Sequence, residues 1–454
     1  MGARGKEKKV TLLTDGSPAK RIVIFALPIL GGELLHTLYT MIDAFILGRW
    51  LGINGLAAVG AGATLVQFIF SFIIGMTSGF AIVTTQRVGA GNGDGIRRSV
   101  ASGIMLSLAV SAILMIFILP FCRNILTAMR TPAEILDNSV SYTTLYFSGI
   151  FVFMFSSMFT GFIHAGGDSF RPMIFQIAAT VCKMVFSILF IVVLSMGVRG
   201  AAAASILADL LVAVLAAVFL LKKFPHFIPG RQDWCVGWKE IGAHLSLGIA
   251  MTLQRCIVEV GNLLVQTAMN TMGAMTIAAV SAAQRIRGLN MMPLFTLSRA
   301  VTVYTAQNYG AKKIDRVYRG LFQACLIALG LGVFMATLNQ FTGRPLVSLF
   351  LVNSAEAVSL AHQYILFTGY TVFILGIMLV FRSALQGLGM KTAPILCGVM
   401  ETVMSILAAF VLIPRLGFLG VCLVNPLSWL ASGIPLYIAF GLLKRKLDKK
   451  LTLE

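Results

Sequence analysis

The stretch TTQRVGAGNGDGIRR at residues 84–98 has a second, degenerate copy, TAQNYGAKKIDRVYR, at residues 305–319. Each copy follows one long apolar segment and precedes another. The residues that recur at a constant separation of 221 positions are Gln86, Gly89, Ala90, Asp94 and Arg98, which become Gln307, Gly310, Ala311, Asp315 and Arg319. A loop repeated at fixed separation between apolar segments indicates an internal duplication.

The duplication extends in both directions from this loop. The same separation places Gly52 on Gly273, and the run Ala57–Val59 on Ala278–Val280. Near the end of each half, Gly197 and Gly200 match Gly417 and Gly420 at a separation of 220. The sequence therefore predicts two halves of similar fold.

Composition places this chain in a membrane. Hydrophobic residues make up 58% of the 454 positions and charged residues only 12%, far from the balance of a soluble domain. A helix that crosses the bilayer core needs about 20 mostly apolar residues. Twelve such segments lie at 21–48, 56–84, 99–119, 139–164, 172–195, 200–221, 241–270, 276–305, 320–341, 356–386, 392–414 and 418–442. We expect an all-α integral membrane protein of twelve transmembrane helices in two pseudo-symmetric six-helix lobes.

The net charge of +19 follows the topology of the predicted helices, so it does not indicate nucleic-acid binding. If the N-terminus is inside, 24 of the 36 lysines and arginines lie in the tails and inner loops. This is the positive-inside distribution. We expect a multi-pass protein of a bacterial or archaeal cytoplasmic membrane, with both termini cytoplasmic and contacts to membrane lipids.

Six spans in each repeat give both halves the same orientation, a known transporter arrangement suited to alternating access. The predicted segments are a cytoplasmic tail at 1–20, an N-lobe at 21–222, a cytoplasmic linker at 223–240, a C-lobe at 241–443 and a cytoplasmic tail at 444–454.

The motifs of membrane enzymes are missing from the sequence. The glycine-rich Gly89–Gly95 lacks the Lys-Ser/Thr of a P-loop, and neither an HExxH nor a GxSxG pattern occurs. The seven cysteines are scattered without metal-ligand spacing. We expect no enzymatic activity and no cofactor other than a proton or sodium gradient.

Several of these motifs together resemble the multidrug and toxic compound extrusion (MATE) transporters. The resemblance is carried by the first-helix pattern from Pro28 to Asp43, by LAAVG at residues 56–60, by the repeated loop, and by GVRGAAAAS at 197–205 with GFLGVCLVNP at 417–426. It implies a twelve-helix, two-lobed secondary antiporter that exports organic compounds in exchange for sodium ions or protons. It also implies that Asp43 is the acid used for cation coupling.

The first predicted helix carries a polar stripe. Glu33, His36, Thr40 and Asp43 fall within an arc of about 80° at 100° per residue, so we expect this face to line a cavity, with Glu33, His36 and Asp43 as ion-coupling candidates. Hydrogen bonding to neighbouring helices is the alternative for all of them. Pro28 is expected to bend the helix.

The fifth helix departs from the family pattern. Lys183 and Ser187 stand where a bacterial sodium site of the family carries an asparagine and an aspartate. An ammonium group near Asp43 would repel a metal cation. We therefore expect proton coupling, with Asp43 paired with Lys183 in one state and protonated or engaged by substrate in the other.

The C-lobe also carries charges within its spans. Arg255 and Glu259 are four residues apart and able to form an ion pair on one helix face, or to contact substrate. Arg382 and Glu401 are expected to tie the tenth helix to the eleventh. The arginines of the eighth helix are expected to extend towards the membrane surface or to brace the inner loop; they are Arg285, Arg287 and Arg299. Asp209 on the sixth helix is a further buried acid.

An adaptable cavity is indicated by 32 phenylalanines and 22 methionines, since ring faces and thioethers accept varied apolar cations. The substrate-cavity candidates are Glu259, Arg255, Gln176, Met154, Phe155, Met291 and Met292.

These observations favour a monomeric exporter of amphiphilic cationic organic compounds. A lipid-linked saccharide flippase of similar two-lobe plan is the first alternative, because six basic residues lie inside predicted spans. A membrane scaffold without transport is the second.

Overall fold

The computed structural model describes residues 12–351 and 354–451, and every regular element within those ranges is a helix. Helices satisfy each backbone N–H and C=O internally, as the bilayer core requires. The first half contains α1 (Pro18–Gly89), α2 (Gly93–Ile118), α3 (Cys122–Ala128), α4 (Ala133–Ser148), α5 (Ile150–Ala165), α6 (Phe170–Ser187) and α7 (Val198–Lys223). The second half contains α8 (Trp238–Met269), α9 (Ala274–Gly310), α10 (Ile314–Ser348), α11 (Ala355–Gly387), α12 (Thr392–Leu407), α13 (Ile413–Leu416) and α14 (Phe418–Leu451).

The 72 residues of α1 form two spans, because a straight helix of that length would be about three and a half times as long as the bilayer core is thick. The break is at Gly52, whose φ of 66° and ψ of −170° are not helical. A positive φ of this kind favours glycine. Pro28, where a bend was expected, lies inside the first arm, residues 18–51. The break that the structure shows is at Gly52 and not at this proline.

Twelve spans result once the two arms of α1 are separated. Within the described residues, nine helices are long and apolar enough to cross a membrane. The pair α4 and α5, bent by 47° at Gly149, gives a tenth span. The second arm of α1, residues 53–89, is the eleventh. The twelfth is α9, which follows Gly273 as the second arm of α1 follows Gly52.

The predicted duplication is visible in the backbone. Gly52 and its counterpart Gly273 have φ of 66° and 87°, and Gly197 and Gly417 have φ of 62° and 57°. A π-helical turn follows α6 at Ile188–Val193, and another follows α12 at Ala408–Leu412. Equivalent irregularities at equivalent positions show that the halves repeat one fold.

The two halves touch at the end of the bundle that carries the α1–α2 and α9–α10 turns, which we call the basic end. Gly89 packs on the backbone of Gln307, and reciprocally Gly310 packs on Gln86. Farther from this end, α1 crosses α8 at Gly79 and Gly248. The hydroxyl of Thr252 donates to the carbonyl of Phe72 at 3.4 Å.

From Phe72 towards Gly52, α1 exposes the side chains of Thr64, Gln67 and Phe68. These backbone contacts between the second arm of α1 and the second half therefore lie between Phe72 and the basic end. At the basic end the two halves are in close contact.

Candidate functional site

The first arm of α1 lies between the halves, and its two acids contact different halves. Asp43 accepts a hydrogen bond from Ser187 of α6 at 3.3 Å, whereas Glu33 pairs with Arg299 of α9. Both acids are partly exposed, and His36 and Thr40 are exposed. The stripe predicted from periodicity thus faces two partners.

Asp43, Lys183 and Asp209 form the charged centre of the first half. The charges of Asp43 and Asp209 both act on Lys183. Ser187 is fully buried behind Asp43, and Ser156 of α5 donates to Asp209 at 3.3 Å. Burial of one cation between two carboxylates keeps charge inside a span nearly balanced. Asp209 therefore belongs to the same site as Asp43.

Two tyrosines of α4 complete this site and were not predicted from the sequence. Tyr142 lies within electrostatic range of Asp43, and Tyr146 within range of both Asp43 and Asp209. Their ring centroids are 5.8 Å apart, and Tyr146 stacks on Phe153 at 4.7 Å. The four-residue spacing of the tyrosines on an apolar helix was the available signal, since it places both rings on one face.

The remaining candidates near this site are His36 and Gln176. His36 has Lys183 and Glu33 as electrostatic neighbours, so it lies between the two acids of the stripe. Gln176 is half-buried on α6, two turns before Lys183. Their positions on α1 and α6 put both on the helices that carry Asp43 and Lys183.

Glu33 and Arg299 connect the halves near the middle of their helices. The Arg299 side chain is 47% exposed and that of Glu33 is 36% exposed. Arg299 lies 11 residues before the end of α9, about 16 Å along the helix. Arg299 was expected to extend to the membrane surface or to brace the inner loop; in the structure it pairs with Glu33 of the other half.

Three arginines gather in the second half. Arg255 of α8 lies within electrostatic range of Arg299 and of Arg382 on α11. Arg382 faces Glu401 of α12 at 3.8 Å, which is the predicted tie between these helices. Among the described residues Arg255 and Glu259 form no ion pair shorter than 4.0 Å. Glu259 instead accepts a hydrogen bond from Asn262 at 3.4 Å.

The methionine and phenylalanine candidates divide between core and boundary positions. Met154 is fully buried in the first half, and Met291 is 6% exposed in the core of the second. In this conformation both contribute packing. Phe155 and Met292 are partly exposed, and Phe155 packs against Phe151 with ring centroids 4.5 Å apart.

The basic end holds a polar interface that was not predicted from the sequence. Arg87 pairs with Glu240 at 2.6 Å, and Arg97 pairs with Asp233 at 3.0 Å. Behind these ion pairs, the buried imidazole of His244 shares a hydrogen bond with Ser99 at 2.8 Å. Arg87 and Ser99 thereby join the first half to α8, whereas Arg97 joins it to the linker that precedes α8.

Comparison with known proteins agrees with the duplication. A family model described as MatE matches residues 28–189 and again residues 250–411. The chain is 25% identical to the probable multidrug resistance protein YoeA of Bacillus subtilis over 91% of each chain. It is 24% identical to YpnP, another probable multidrug resistance protein of that organism, over 83% of this chain and 84% of YpnP.

The fold is also shared with a solved structure. The chain aligns with the outward-facing conformation of a multidrug resistance MATE family transporter of the MOP superfamily, with a TM-score of 0.90. The alignment covers 98% of this chain and 100% of the other at 21% sequence identity. The similarity shows the twelve-helix fold.

Proposed function

This chain belongs to the MatE family, and on that premise we propose that it is a secondary active transporter that exports amphiphilic organic compounds in exchange for protons. Its relatives YoeA and YpnP are named as probable multidrug resistance proteins, which supports a broad range of compounds. The proposed role is transport without a chemical step, driven by the proton gradient.

The observation that carries the proposal is the site around Asp43. A partly exposed carboxylate inside a span is costly unless it is hydrated or compensated, and here Ser187 and Lys183 supply the compensation. A proton that binds Asp43 removes its negative charge and weakens its attraction to Lys183. In the proposed cycle, this loss frees the first arm of α1 to move and so couples the proton to the arrangement of the halves.

Lys183 favours the proton over sodium as the coupling ion. A sodium ion bound at Asp43 would remain a positive charge beside the ammonium group, and repulsion at that distance is strong where water is scarce. A proton neutralises Asp43 and leaves no cation beside Lys183.

The arrangement of the halves supports alternating access. The ion pairs of Arg87 with Glu240 and of Arg97 with Asp233 lie at the basic end, and in the proposed cycle the Arg87 pair breaks when that end opens. In the proposed cycle the compound enters from the basic end, and leaves at the Gly52 end once the basic end has closed.

We propose the basic end as the cytoplasmic one, because the inner loops carry most of the lysines and arginines. Both termini are then cytoplasmic, in the membrane of a bacterium or archaeon. Residues 21–222 and 241–443 are the proposed lobes of a monomer, and residues 223–240 the cytoplasmic linker between them.

The two halves would attract groups of opposite charge on the compound. Asp43 and Asp209 would attract a cationic group, as the sequence led us to expect, whereas the three arginines of the second half would attract an anionic one. These three arginines also favour the second candidate function, a lipid-linked saccharide flippase, because the phosphates of such a lipid are anionic.

The proposal is tested in proteoliposomes loaded with ethidium, a fluorescent cation, under separate proton and sodium gradients. We expect a proton gradient to drive efflux through the unaltered protein and Asp43→Asn to abolish it. The matched control is Asp137→Asn, because Asp137 is an acid of α4 whose side chain is 82% exposed. Equal efflux through the unaltered protein and through Asp43→Asn would contradict the role of Asp43. The absence of gradient-driven movement of any compound would favour the scaffold without transport.

A further inference from the structure

The second half concentrates positive charge inside the spans, in a cluster that the proposed proton coupling does not use. Arg255, Arg299 and Arg382 come from three different helices, α8, α9 and α11. Ser298, which precedes Arg299, and Ser383, which follows Arg382, share a hydrogen bond between their hydroxyl groups at 2.5 Å, so both arginines lie where α9 meets α11. The charges of both arginines act on Arg255. Three like charges at this depth repel one another and are costly without compensation.

The acids nearby compensate this charge only in part. Glu33 pairs with Arg299. Glu401 lies 3.8 Å from Arg382, which is too long for a hydrogen bond, and its Oε2 atom is buried without a hydrogen-bond partner. Arg382 and Glu401 therefore attract each other through charge alone. Both side chains keep unused hydrogen-bonding groups.

Arg255 is the least compensated of the three. Within residues 12–351 and 354–451, no carboxylate lies within 4.0 Å of its guanidinium group. The nearest candidate by sequence, Glu259, accepts its hydrogen bond from Asn262. A guanidinium group carries five N–H donors in a fixed planar fork, so Arg255 presents an unfilled donor set inside a transmembrane helix.

The cluster is exposed mainly at Arg299, since the side chain of Arg382 is only 16% exposed. Arg299 is 47% exposed about 16 Å from the end of its helix, and a charge so exposed to lipid at that depth would be strongly unfavourable. The exposed faces of Arg299 and Glu33 must therefore line the hydrated space between the halves. A solute in that space can reach Arg299, the exposed member of the cluster.

We infer that the arginine cluster of Arg255, Arg299 and Arg382 binds an anionic group of the transported compound. The chemical class is an amphiphile with a carboxylate, sulfonate or phosphate, because these groups match the guanidinium fork with two parallel hydrogen bonds. Such a group also relieves the repulsion among the three arginines. This inference rests on the proposed transport function and adds compounds with an anionic group to the cationic ones that the same transporter is proposed to export.

The test compares two fluorescent probes that differ only in charge, dansylglycine and dansylglycine amide, by equilibrium titration of the full-length protein in detergent. We expect the carboxylate probe to bind at least about tenfold more tightly than the amide, the effect of one charge-assisted hydrogen bond or more. Arg255→Gln should reduce this preference to near unity, and Arg255→Lys should retain part of it, because lysine keeps the charge without the fork.

The matched control is Arg344→Gln, which removes an exposed arginine of α10 outside the cluster and should leave the preference unchanged. Glu259→Gln should increase the preference, since it removes a negative charge that acts on Arg255. Equal binding of the two probes to the unaltered protein would overturn the inference, as would a preference that survives Arg255→Gln.

A competition experiment separates two sources of the anionic group. If short-chain phosphatidylglycerol displaces dansylglycine, the cluster accepts lipid phosphates, whereas no displacement assigns it to free organic anions. Both results support an anion site. Binding at equilibrium requires no ion gradient, so this test succeeds or fails independently of gradient-driven export.

Discussion

A Cβ atom placed on Gly79 would lie 2.3 Å from the backbone nitrogen of Gly248. No side chain fits between α1 and α8 where they cross, and glycine permits the close approach that is common among membrane helices. This crossing lies in the second arm of α1, between the basic-end ion pairs and Gly52. It is therefore the point about which the two halves are expected to rock.

Gly79→Ala is expected to destabilise the closed basic end by about 1–3 kcal/mol, the usual cost of overpacking a tight contact. Hydrogen exchange at residues 86–99 should become faster, because this segment packs on the second half only when that end is closed. The control is Gly60→Ala, since nothing lies within 4 Å of a Cβ at Gly60 of the same helix. Equal exchange in both variants would show that the crossing does not control closure.

The ion pair of Arg87 with Glu240 should contribute more than an exposed pair of the same chemistry. Arg87→Gln leaves Glu240, 17% exposed, without its cationic partner, at a cost of about 1–3 kcal/mol. Arg123→Gln breaks the Asp137 pair, whose side chains are 60% and 82% exposed, at about 0–1 kcal/mol. Thermal unfolding in detergent measures the difference, and the double variant with Glu240→Gln should recover part of the loss.

Asp233 makes the stability of the basic end depend on pH. The backbone N–H of Gly230, with a smaller effect of Arg97, holds the pKa of Asp233 below its ordinary value of 3.8. A lowered pKa in the folded state contributes stability above the pKa of the unfolded state, and this contribution is lost as the pH falls through the folded value. Asp233→Asn should therefore lower the unfolding midpoint at pH 7 and have progressively less effect below about pH 3.8.

The control for this pH profile is Asp137→Asn, which should change the midpoint little at either pH because Asp137 is in an exposed pair. A deficit for Asp233→Asn that stays constant down to the lowest pH would indicate that the carboxylate acts through packing, with no contribution from its charge.

The two-lobed fold could be predicted because its signals are local and repeated. Runs of apolar residues locate the spans, and the constant separation of Gly52 and Gly273 locates the duplication. The same repeat also explains an exception: Lys312 has φ of 59° at the position equivalent to Gly91, with φ of 65°. The positive φ is retained at Lys312, although glycine, which adopts a positive φ without strain, is not.

The contacts between the halves could not be predicted, because they join residues far apart in sequence. Glu33 and Arg299 are separated by 266 positions, and Ser99 and His244 by 145. Helical periodicity places each residue on a face of its own helix but does not identify the helix opposite. For the same reason Asp209 was recognised as a buried acid, while its place beside Lys183 was not.

Lys183 provides the sharpest prediction for coupling, because it can be changed without removing the acid. Lys183→Asn removes the cation whose electrostatic partners are Asp43 and Asp209 and restores the residue type of a bacterial sodium site. The two carboxylates then lose their compensating charge and can share a metal cation. Export should become dependent on sodium and lose most of its response to a proton gradient.

Lys183→Arg keeps the charge and is expected to keep proton dependence, with a reduced rate because the larger guanidinium group must fit the same space. Both variants are compared in proteoliposomes under separate gradients, with Lys222→Asn at the end of α7 as the control. If Lys183→Asn left the ion dependence unaltered, the exchange of partners at Asp43 would not be the coupling step, and the proton would have to act elsewhere in the bundle.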